Sequence, residues 1–391
     1  MKNLFHLSRT GYQFLIVVSV SASFYSCTKE VEKNAESITT DMVEKSNQFS
    51  NFPLKDVNPN IFIGAHINND LSDSNFLAIP KKEFSAIQAL YYAGYGGWNG
   101  INEFDFFSTN ETINWTVENG KSSHVHMLVG PDQYSPTWLK EGTWTNQQLN
   151  ALLKKQIYSI MDANDNKNKV DVWNVINEIF NDDGTYRTDV LWNQLGFEVD
   201  NSGLTGTDKI NTQHPKFVRK AFKFAREKTT AKLELRDNSI ENSNPLQGAD
   251  LKFKGVYQLL NHMLNSNIPI DAVGLQGHYG IGTSYVLTDN DALKNIVAKY
   301  KALGIEVYVT ELDFNSQNQI WSPALAQTQK KDYYNYIKQA IEGGANRIYT
   351  WGFQDGKDLG FLTNDHPLPW DENLQKKPAY FGIQKALYDT R

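Results

Sequence analysis

The 391-residue chain contains almost no cysteine: Cys27 is the only one, so no disulfide can form within the chain. It also lacks clusters of Lys and Arg, and its formal net charge is −6. Because phosphate backbones are bound by clustered cations, these two features argue against a nucleic-acid partner. The apolar stretch at residues 14–18 is too short, and is followed too soon by polar residues, to cross a membrane. No internal repeat and no second domain can be recognised.

The N-terminus has the pattern of a secretory signal, with a basic start at Lys2 and Arg9, the apolar stretch and then small residues. Cys27 follows at the end of this region and resembles the lipid-attachment site of bacterial lipoproteins, although Phe24 stands where Leu is usual. We therefore predict a lipoprotein signal peptide at residues 1–27, lipidation of Cys27, and a location at the cell surface or outer membrane through the lipid anchor alone. The alternative is an ordinary signal peptide and a secreted protein. Residues 28–55 are rich in Ser, Asn, Glu and Lys and predict a polar spacer.

The rest of the chain, residues 56–391, alternates short apolar runs with helical patterns. Eight runs predict buried parallel strands, at residues 61–65, 103–107, 124–129, 170–176, 232–235, 272–276, 306–310 and 347–351. Thr145 is predicted to cap a helix whose apolar face begins at Leu149. The glycines and aromatic residues between Ile87 and Ile101 predict a loop, with residues 91–99 a candidate functional segment. This order of elements predicts one α/β domain, a (β/α)8 TIM barrel.

Two glutamates, Glu178 and Glu311, each follow one of the predicted strands. A carboxylate at the end of a buried strand costs desolvation energy, and in a (β/α)8 barrel the carboxyl ends of the strands are where active sites are built. Two carboxylates facing one cavity suit the acid/base and nucleophile roles in cleavage of a glycosidic bond. For either glutamate alone, a salt bridge or a helix cap is the competing interpretation.

Five motifs follow one another along the chain, at residues 173–184 around Glu178, at 274–278, at 310–313 around Glu311, at 350–352 and at 367–380. Together they resemble the family-10 glycoside hydrolases, the retaining endo-β-1,4-xylanases. The resemblance implies a retaining endo-glycosidase that hydrolyses β-1,4-xylan by double displacement, as a monomer and without cofactor or metal. The segment at residues 162–169 has some oxygen ligands, but its lysines and poor spacing predict a plain turn rather than a calcium loop.

The resemblance also implies roles for individual residues. Glu178 would be the general acid and then the general base, and Glu311 the nucleophile. Gln276 and His278 would hydrogen-bond the carboxylate of Glu311, and Asp313 would orient His278. Two further residues would contact the sugar: Asn177 at the 2-hydroxyl group, and Trp351 as a flat apolar wall.

Three departures from the family pattern predict a rebuilt sugar pocket. Asn114 stands where a sugar-binding lysine is expected, Gly130 and Pro131 replace Trp-His, and Arg236 begins a segment that normally reads Asn-Asp-Tyr-Asn. We expect Asn114 and Arg236 to contact the sugar, with a wider floor near Gly130. Two alternatives to xylan cleavage therefore stay open: the same mechanism on another or decorated β-linked polysaccharide, and a non-catalytic glycan-binding lipoprotein.

Overall fold

The computed structural model describes residues 51–67, 71–242, 250–283, 287, 291–356 and 365–391. Within them, eight parallel strands pair in chain order, and the last pairs with the first, so that the sheet closes into a barrel. The predicted (β/α)8 TIM barrel is thereby confirmed. The strands are β1 (Phe62–His66), β2 (Ala86–Leu90), β3 (Ser122–Val129), β4 (Val172–Asn177), β5 (Lys232–Asp237), β6 (Ala272–Leu275), β7 (Glu306–Asn315) and β8 (Arg347–Thr350).

Eight longer helices in the described ranges alternate with these strands. They are α1 (Ser74–Glu83), α2 (Phe107–Glu118), α3 (Asn146–Asp162), α4 (Lys216–Lys228), α5 (Asp250–Asn265), α6 (Ala292–Lys301), α7 (Pro323–Gly343) and α8 (Pro378–Asp389). Short helices and single turns lie at Leu54–Val57, Ala93–Gly97, Asp132–Tyr134, Thr137–Lys140, Ala163–Asp165, Asn166–Lys169, Leu191–Leu195 and Gly206–Asp208. Short strands pair as Trp98–Gly100 with Glu103–Phe104 and as Phe197–Val199 with Gln213–Pro215, and His278–Gly280 pairs with the end of β7.

The barrel forms where the sequence places apolar residues without alternation. All six residues of β4 and all four of β8 are buried, as expected for parallel strands covered on both faces. The predicted start of α3 is confirmed, because the Thr145 hydroxyl accepts a bond from the Gln148 backbone at 3.3 Å and the Gln148 side chain accepts one from the Thr145 backbone at 2.9 Å. Leu149 begins the buried face of this helix.

The prediction of the second strand was wrong. Residues 103–107 lie outside the barrel, and the second strand is β2, whose sequence Ala-Ile-Gln-Ala-Leu has few residues that favour strands. The alternating aromatic residues that suggested a strand serve another purpose. Phe104 stacks on Trp98 with ring centroids 5.2 Å apart and on Phe106 at 5.3 Å, so the alternation builds an aromatic cluster beside the barrel.

The barrel interior contains a polar layer. Side chains two residues apart in a strand share a face, and the pair His124 and His126 of β3 meets the pair Glu234 and Arg236 of β5. Arg236 also reaches Gln88 of β2, with Nη2 donating to Oε1 at 2.9 Å. Because β2 and β5 are not neighbours in the ring, this contact crosses the interior. These five side chains are at most 3% exposed.

The compact unit of the described chain spans Phe52–Arg391. Packing begins slightly before the expected boundary at residue 56, since Leu54 is buried and its backbone N–H donates to Glu83 Oε2 at 3.0 Å. The predicted signal peptide, Cys27 and nearly all of the predicted spacer lie outside the described residues. Among the helices of the described ranges, none has the length and apolar character needed to span a membrane.

Candidate active site

A cavity of about 300 Å³ opens at the carboxyl ends of the barrel strands. Both Glu178 and Glu311 line it, so the structure brings the two predicted carboxylates to one site. The full lining consists of Tyr92, His126, Tyr134, Glu178, Asn238, Ser239, Gln276, His278, Glu311 and Trp351.

Glu178 follows β4 directly and turns into the cavity through an unusual backbone conformation. Its φ is +56°, in the left-handed region that residues other than glycine rarely adopt. Its backbone N–H donates to the Arg236 carbonyl at 3.0 Å, and Gln276 Nε2 donates to its Oε1 at 2.8 Å. Gln276 was expected to bind Glu311, and that prediction was wrong. The side chain extends from the end of β6 toward β4 and also lies 3.3 Å from Asn177 Oδ1.

Glu311 lies within β7 and is 4% exposed. The register between β7 and β8 shifts between Val309 and Leu312, an irregularity that changes the direction of side chains at this point. Its two carboxylate oxygens have different partners: Oε1 accepts from Arg236 Nη1 at 2.8 Å, and Oε2 lies 3.1 Å from His278 Nε2. His278 Nδ1 in turn contacts Asp313 Oδ2, so the structure joins His278, Asp313 and Glu311 in the predicted order.

The charges around Glu311 favour its ionised form. Burial raises the pKa of this carboxyl group, but the hydrogen bond from His278 and the charges of Arg236 and His278 together hold the pKa well below its usual range. Burial also lowers the pKa of His126 to about 3, so this ring is neutral at neutral pH. The ionisation of Glu311 at neutral pH therefore depends on Arg236 and His278. Burial opposes the charge of His278, yet Asp313 and Glu311 raise its pKa well above 6.5.

Two predicted sugar contacts were wrong. Asn114 lies on α2, where its Oδ1 accepts from Asn164 Nδ2 and from Lys169 Nζ, both at 2.9 Å. Asn114 was aligned with the lysine of the family's second-strand motif, but the second strand is β2, and Asn114 is not part of the cavity lining. Arg236 is fully buried and its guanidinium binds Glu311 and Glu234, so it has no surface to offer to a sugar.

The other two predicted sugar contacts lie at the site. Trp351 lines the cavity and stacks on His66, with ring centroids 5.0 Å apart and an angle of 30° between the planes. Asn177 is fully buried beside Glu178, and its Nδ2 has no hydrogen-bond partner in the protein. A buried amide donor without a partner is costly, which agrees with a group that a ligand completes.

The floor near Gly130 is not wider, contrary to our expectation. A Cβ atom at this position would lie 2.7 Å from Met127 Cε and 3.2 Å from Tyr134 Cδ2. Met127 and Tyr134 thus fill the space in which the family pattern has a tryptophan. Tyr134 stacks on Tyr92 with centroids 5.4 Å apart, and both rings line the cavity.

The sequence reasoning missed several lining residues. Tyr92 belongs to the aromatic segment that had been singled out as a functional loop, but no signal identified which of its tyrosines faces the site. His126 had a visible signal, since the alternation of His124 and His126 in a buried strand points both rings to one face. Asn238 and Ser239 belong to the segment that departs from Asn-Asp-Tyr-Asn, so that departure was their signal, whereas Tyr134 had none.

One cluster elsewhere in the described ranges has the residue types of a metal site. Asp200, His214 and His262 each place a potential ligand atom within 4.8 Å of the others. The ring nitrogens already have partners: His214 Nε2 lies 2.8 Å from Asp200 Oδ1, and His262 Nδ1 accepts from the Asn201 backbone at 3.0 Å. Lys209 Nζ lies 3.3 Å from Asp200 Oδ2, where it would repel a cation. The cluster is therefore a hydrogen-bond network that ties the loop after β4 to α5.

Comparison with known proteins identifies the family. The model of glycosyl hydrolase family 10 matches residues 55–386. The endo-1,4-beta-xylanase 2 of Aureobasidium pullulans is 28% identical over 299 residues, which cover 74% of this chain and 76% of that protein. The endo-1,4-beta-xylanase B of Thermotoga neapolitana is 25% identical over 342 residues, covering 84% and 89%.

Solved structures show the same fold. Xylanase 10B from Thermotoga petrophila, determined in complex with xylobiose, superposes with a TM-score of 0.73 at 23% identity and covers 87% of this chain and 98% of its own. Native xylanase 10C from Cellvibrio japonicus gives a TM-score of 0.73 at 24% identity and covers 86% and 73%. The chain belongs to glycosyl hydrolase family 10.

Proposed function

We propose that this protein is a retaining endo-1,4-β-xylanase that hydrolyses the main chain of xylan. The observation that carries the proposal is the placement of Glu178 and Glu311 in one cavity with different environments. Glu178 is partly exposed and is bound by the neutral amide of Gln276, whereas buried Glu311 is held by Arg236 and His278. Such unlike environments suit a proton donor and a nucleophile. The relatives named above are xylanases, and we assign xylan as the substrate on that basis.

The mechanism uses each carboxylate twice. In the first step the Glu311 carboxylate attacks the anomeric carbon, the glycosidic C–O bond breaks, and the Glu178 carboxylic acid gives its proton to the leaving oxygen. In the second step Glu178, now a carboxylate, takes a proton from water while the water oxygen attacks the anomeric carbon. Glu311 leaves as a carboxylate. Two inversions at one carbon retain the anomeric configuration, and no cofactor takes part.

A second candidate keeps this mechanism but changes the substrate to another or a decorated β-linked polysaccharide. The observation that favours it is the altered wall of the cavity, where Tyr92 and Tyr134 stack and Met127 fills the space beside Gly130. Asn238 and Ser239 replace two further residues of the family pattern in the lining. A cavity with a different shape selects a different sugar or substituent.

The test combines product analysis with two variants. We expect the wild type to release oligosaccharides of retained configuration from linear xylan, from decorated xylans or from other β-glycans, as followed by proton NMR. Glu311→Ala and Glu178→Ala should each lose at least about a thousandfold in kcat on the polymer. Added azide should yield a β-glycosyl azide with Glu178→Ala and an α-glycosyl azide with Glu311→Ala. If the wild type and both variants bind glycan equally and none hydrolyses it, the protein is a binding lipoprotein.

We also propose that the enzyme is a monomer tethered to the cell surface or outer membrane by lipid on Cys27, with residues 28–55 as the spacer. The sequence pattern around Cys27 supports this. Lipid would add about 0.8 kcal/mol of membrane affinity per buried CH₂ group. Wild-type protein should partition with membranes and Cys27→Ala should not. Recovery of the wild type in the medium with a free thiol at this position would contradict the proposal.

A further inference from the structure

Arg236 is a fully buried cation inside the barrel, and each nitrogen of its guanidinium donates to another buried side chain. Nε donates to Glu234 Oε1 at 2.8 Å. Nη1 donates to Glu311 Oε1 at 2.8 Å and lies 2.9 Å from His126 Nδ1. Nη2 donates to Gln88 Oε1 at 2.9 Å and lies 3.1 Å from His124 Nε2. A guanidinium has its N–H groups in a rigid plane, so donation to three different side chains fixes its orientation. His126 Nδ1 and His124 Nε2 are themselves donors, to Asn174 Oδ1 and Glu234 Oε2.

Glu234 is the second charge of this arrangement. It is fully buried, and its two oxygens contact Arg236 and His124. Gly274 on the adjacent strand β6 makes room for it, because a Cβ atom there would lie 1.9 Å from Glu234 Oε1. Arg236 lies between two carboxylates, so without it Glu234 would have no cation and Glu311 would keep only His278. Burial of an unpaired charge is strongly unfavourable.

The geometry points to Arg236 as a positioning residue that orients and charge-balances Glu311 from inside the barrel, with Glu234 as the counter-ion that fixes Arg236. This inference rests on the proposed function insofar as Glu311 is the nucleophile. The Arg236 side chain is not part of the cavity lining, and Glu311 is the proposed reacting group to which its guanidinium donates. The cation favours the state in which Glu311 carries negative charge, because the two opposite charges lie in contact.

The effect on the two chemical steps follows from the charge on Glu311. In glycosylation the carboxylate loses its charge as the bond to the anomeric carbon forms, so the attraction to Arg236 weakens. In deglycosylation the C–O bond to Glu311 breaks, its electron pair returns to the carboxylate, and Arg236 stabilises the charge that develops. Arg236 therefore makes Glu311 a better leaving group. Without it, the covalent intermediate should form and then persist.

Other groups face Glu311 as well, and they must be separated from Arg236 in any pH measurement. The titratable and charged groups around this carboxylate are Arg236, His278, His126, His66, Tyr92, Tyr134, Asp313 and Glu178. Burial lowers the pKa of His66 to about 4 and that of His126 to about 3, so neither ring is charged above pH 5. Arg236 and His278 are the cations that remain.

The experiment compares Arg236→Met with Arg236→Lys and with Arg347→Met. Arg347 is a buried arginine at the start of β8 that donates to Ser122 Oγ at 2.9 Å, and it controls for the general loss of a buried cation.

The acid limb of the pH profile of kcat/KM should move upward by about one to three pH units in Arg236→Met. With an aryl β-xylobioside that has a good leaving group, Arg236→Met should show a stoichiometric burst followed by slow turnover. Arg236→Lys should have an acid limb and a turnover rate between those of Arg236→Met and the wild type. Arg347→Met should match the wild type in both.

A second variant and a second measurement guard against misfolding and inactivity. Arg236→Met leaves Glu234 unpaired, whereas Arg236→Met combined with Glu234→Gln removes both charges and should fold while keeping the shifted pH profile. Carbon-13 NMR of labelled glutamate carboxyl groups, with Glu311→Gln for assignment, follows the ionisation of Glu311 without turnover. We expect Glu311 to titrate at higher pH than in the wild type, both in Arg236→Met and in Arg236→Met combined with Glu234→Gln. If Glu311 titrates in these variants as it does in the wild type, the inference is overturned. The same holds if an active Arg236→Met enzyme keeps the wild-type acid limb of kcat/KM. An inactive wild type with shifted titration overturns only the proposed function.

Discussion

His278 lies between two carboxylates, and its charge depends on both. Nε2 faces Glu311 and Nδ1 faces Asp313, and these anions raise the pKa of the ring well above 6.5 despite its burial. Glu311 can thus accept a hydrogen bond from an imidazolium throughout the neutral range. As pH rises through the pKa of His278 in the folded state, the charge is lost, and so is this contribution to Glu311.

Asp313→Asn tests this arrangement. Removing one anion should lower the pKa of His278, because burial then opposes its charge with less compensation. The imidazole should lose its proton at lower pH than in the wild type, as measured by NMR titration of the ring. Asp355→Asn is the matched control, since Asp355 is a buried carboxylate that binds Lys377 Nζ at 2.7 Å and does not contact His278. Equal His278 titration in Asp313→Asn and the wild type would contradict the prediction.

The residues that could be located from sequence are those whose position follows from the ends of strands. Glu178, Glu311, His278 and Asp313 were placed correctly because each lies in or just after a recognisable strand. The directions of long side chains could not be derived in the same way. Strand periodicity tells which face Arg236 occupies, but not that its guanidinium would turn toward Glu311 instead of a sugar.

The loop after β2 has an exposed aromatic side chain beside the site. Tyr95 is 69% exposed, and its ring meets Tyr92 edge-on at 5.5 Å and Tyr134 at 6.1 Å. A second cavity of about 300 Å³ shares Tyr92 with the catalytic cavity and includes Tyr95 and Asp105 in its lining. A glycan longer than the catalytic cavity can therefore extend over this aromatic cluster.

We expect Tyr95→Ala to weaken the binding of long substrates selectively. Loss of one aromatic contact is worth about 0.5–1.5 kcal/mol, or roughly a three- to tenfold rise in KM on polymer. The KM for a short aryl glycoside should stay the same, because that substrate does not reach Tyr95. Phe381→Ala is the control, since Phe381 is 40% exposed on α8 outside both cavity linings. An equal rise for both substrates would show instead that the loop is destabilised.

The sequence of β2 explains why the second strand was predicted wrongly, whereas the seven other strands were located. Strands rich in Val, Ile and Leu are recognisable singly, but β2 contains two alanines and a glutamine. The Gln88 side chain accepts a hydrogen bond from Arg236 across the barrel, a tertiary contact that the local sequence does not indicate. The aromatic residues at 103–107 therefore have the stronger local preference for a strand, although they form the aromatic cluster beside the barrel.

The molecule as a whole contains several histidines that are buried and neutral. Among the described residues, burial lowers the pKa of His66, His124 and His214 to about 4 and that of His126 to about 3. In the unfolded chain each of these rings takes up a proton below about pH 6.5. The unfolded state then binds more protons than the folded state, so these groups make the fold less stable as pH falls below 6.5.

His66→Phe isolates one of these contributions. Both ring nitrogens of His66 lack hydrogen-bond partners, and its ring stacks on Trp351, so phenylalanine keeps the packing and removes only the titratable group. The wild type should lose about 3 kcal/mol between pH 7 and pH 4 through this residue, from the difference between the usual pKa of 6.5 and about 4. The variant should lack that loss, so the gap between the two urea-unfolding free energies should widen in favour of the variant as pH falls. Parallel curves would mean that water or another partner satisfies His66 in the folded protein.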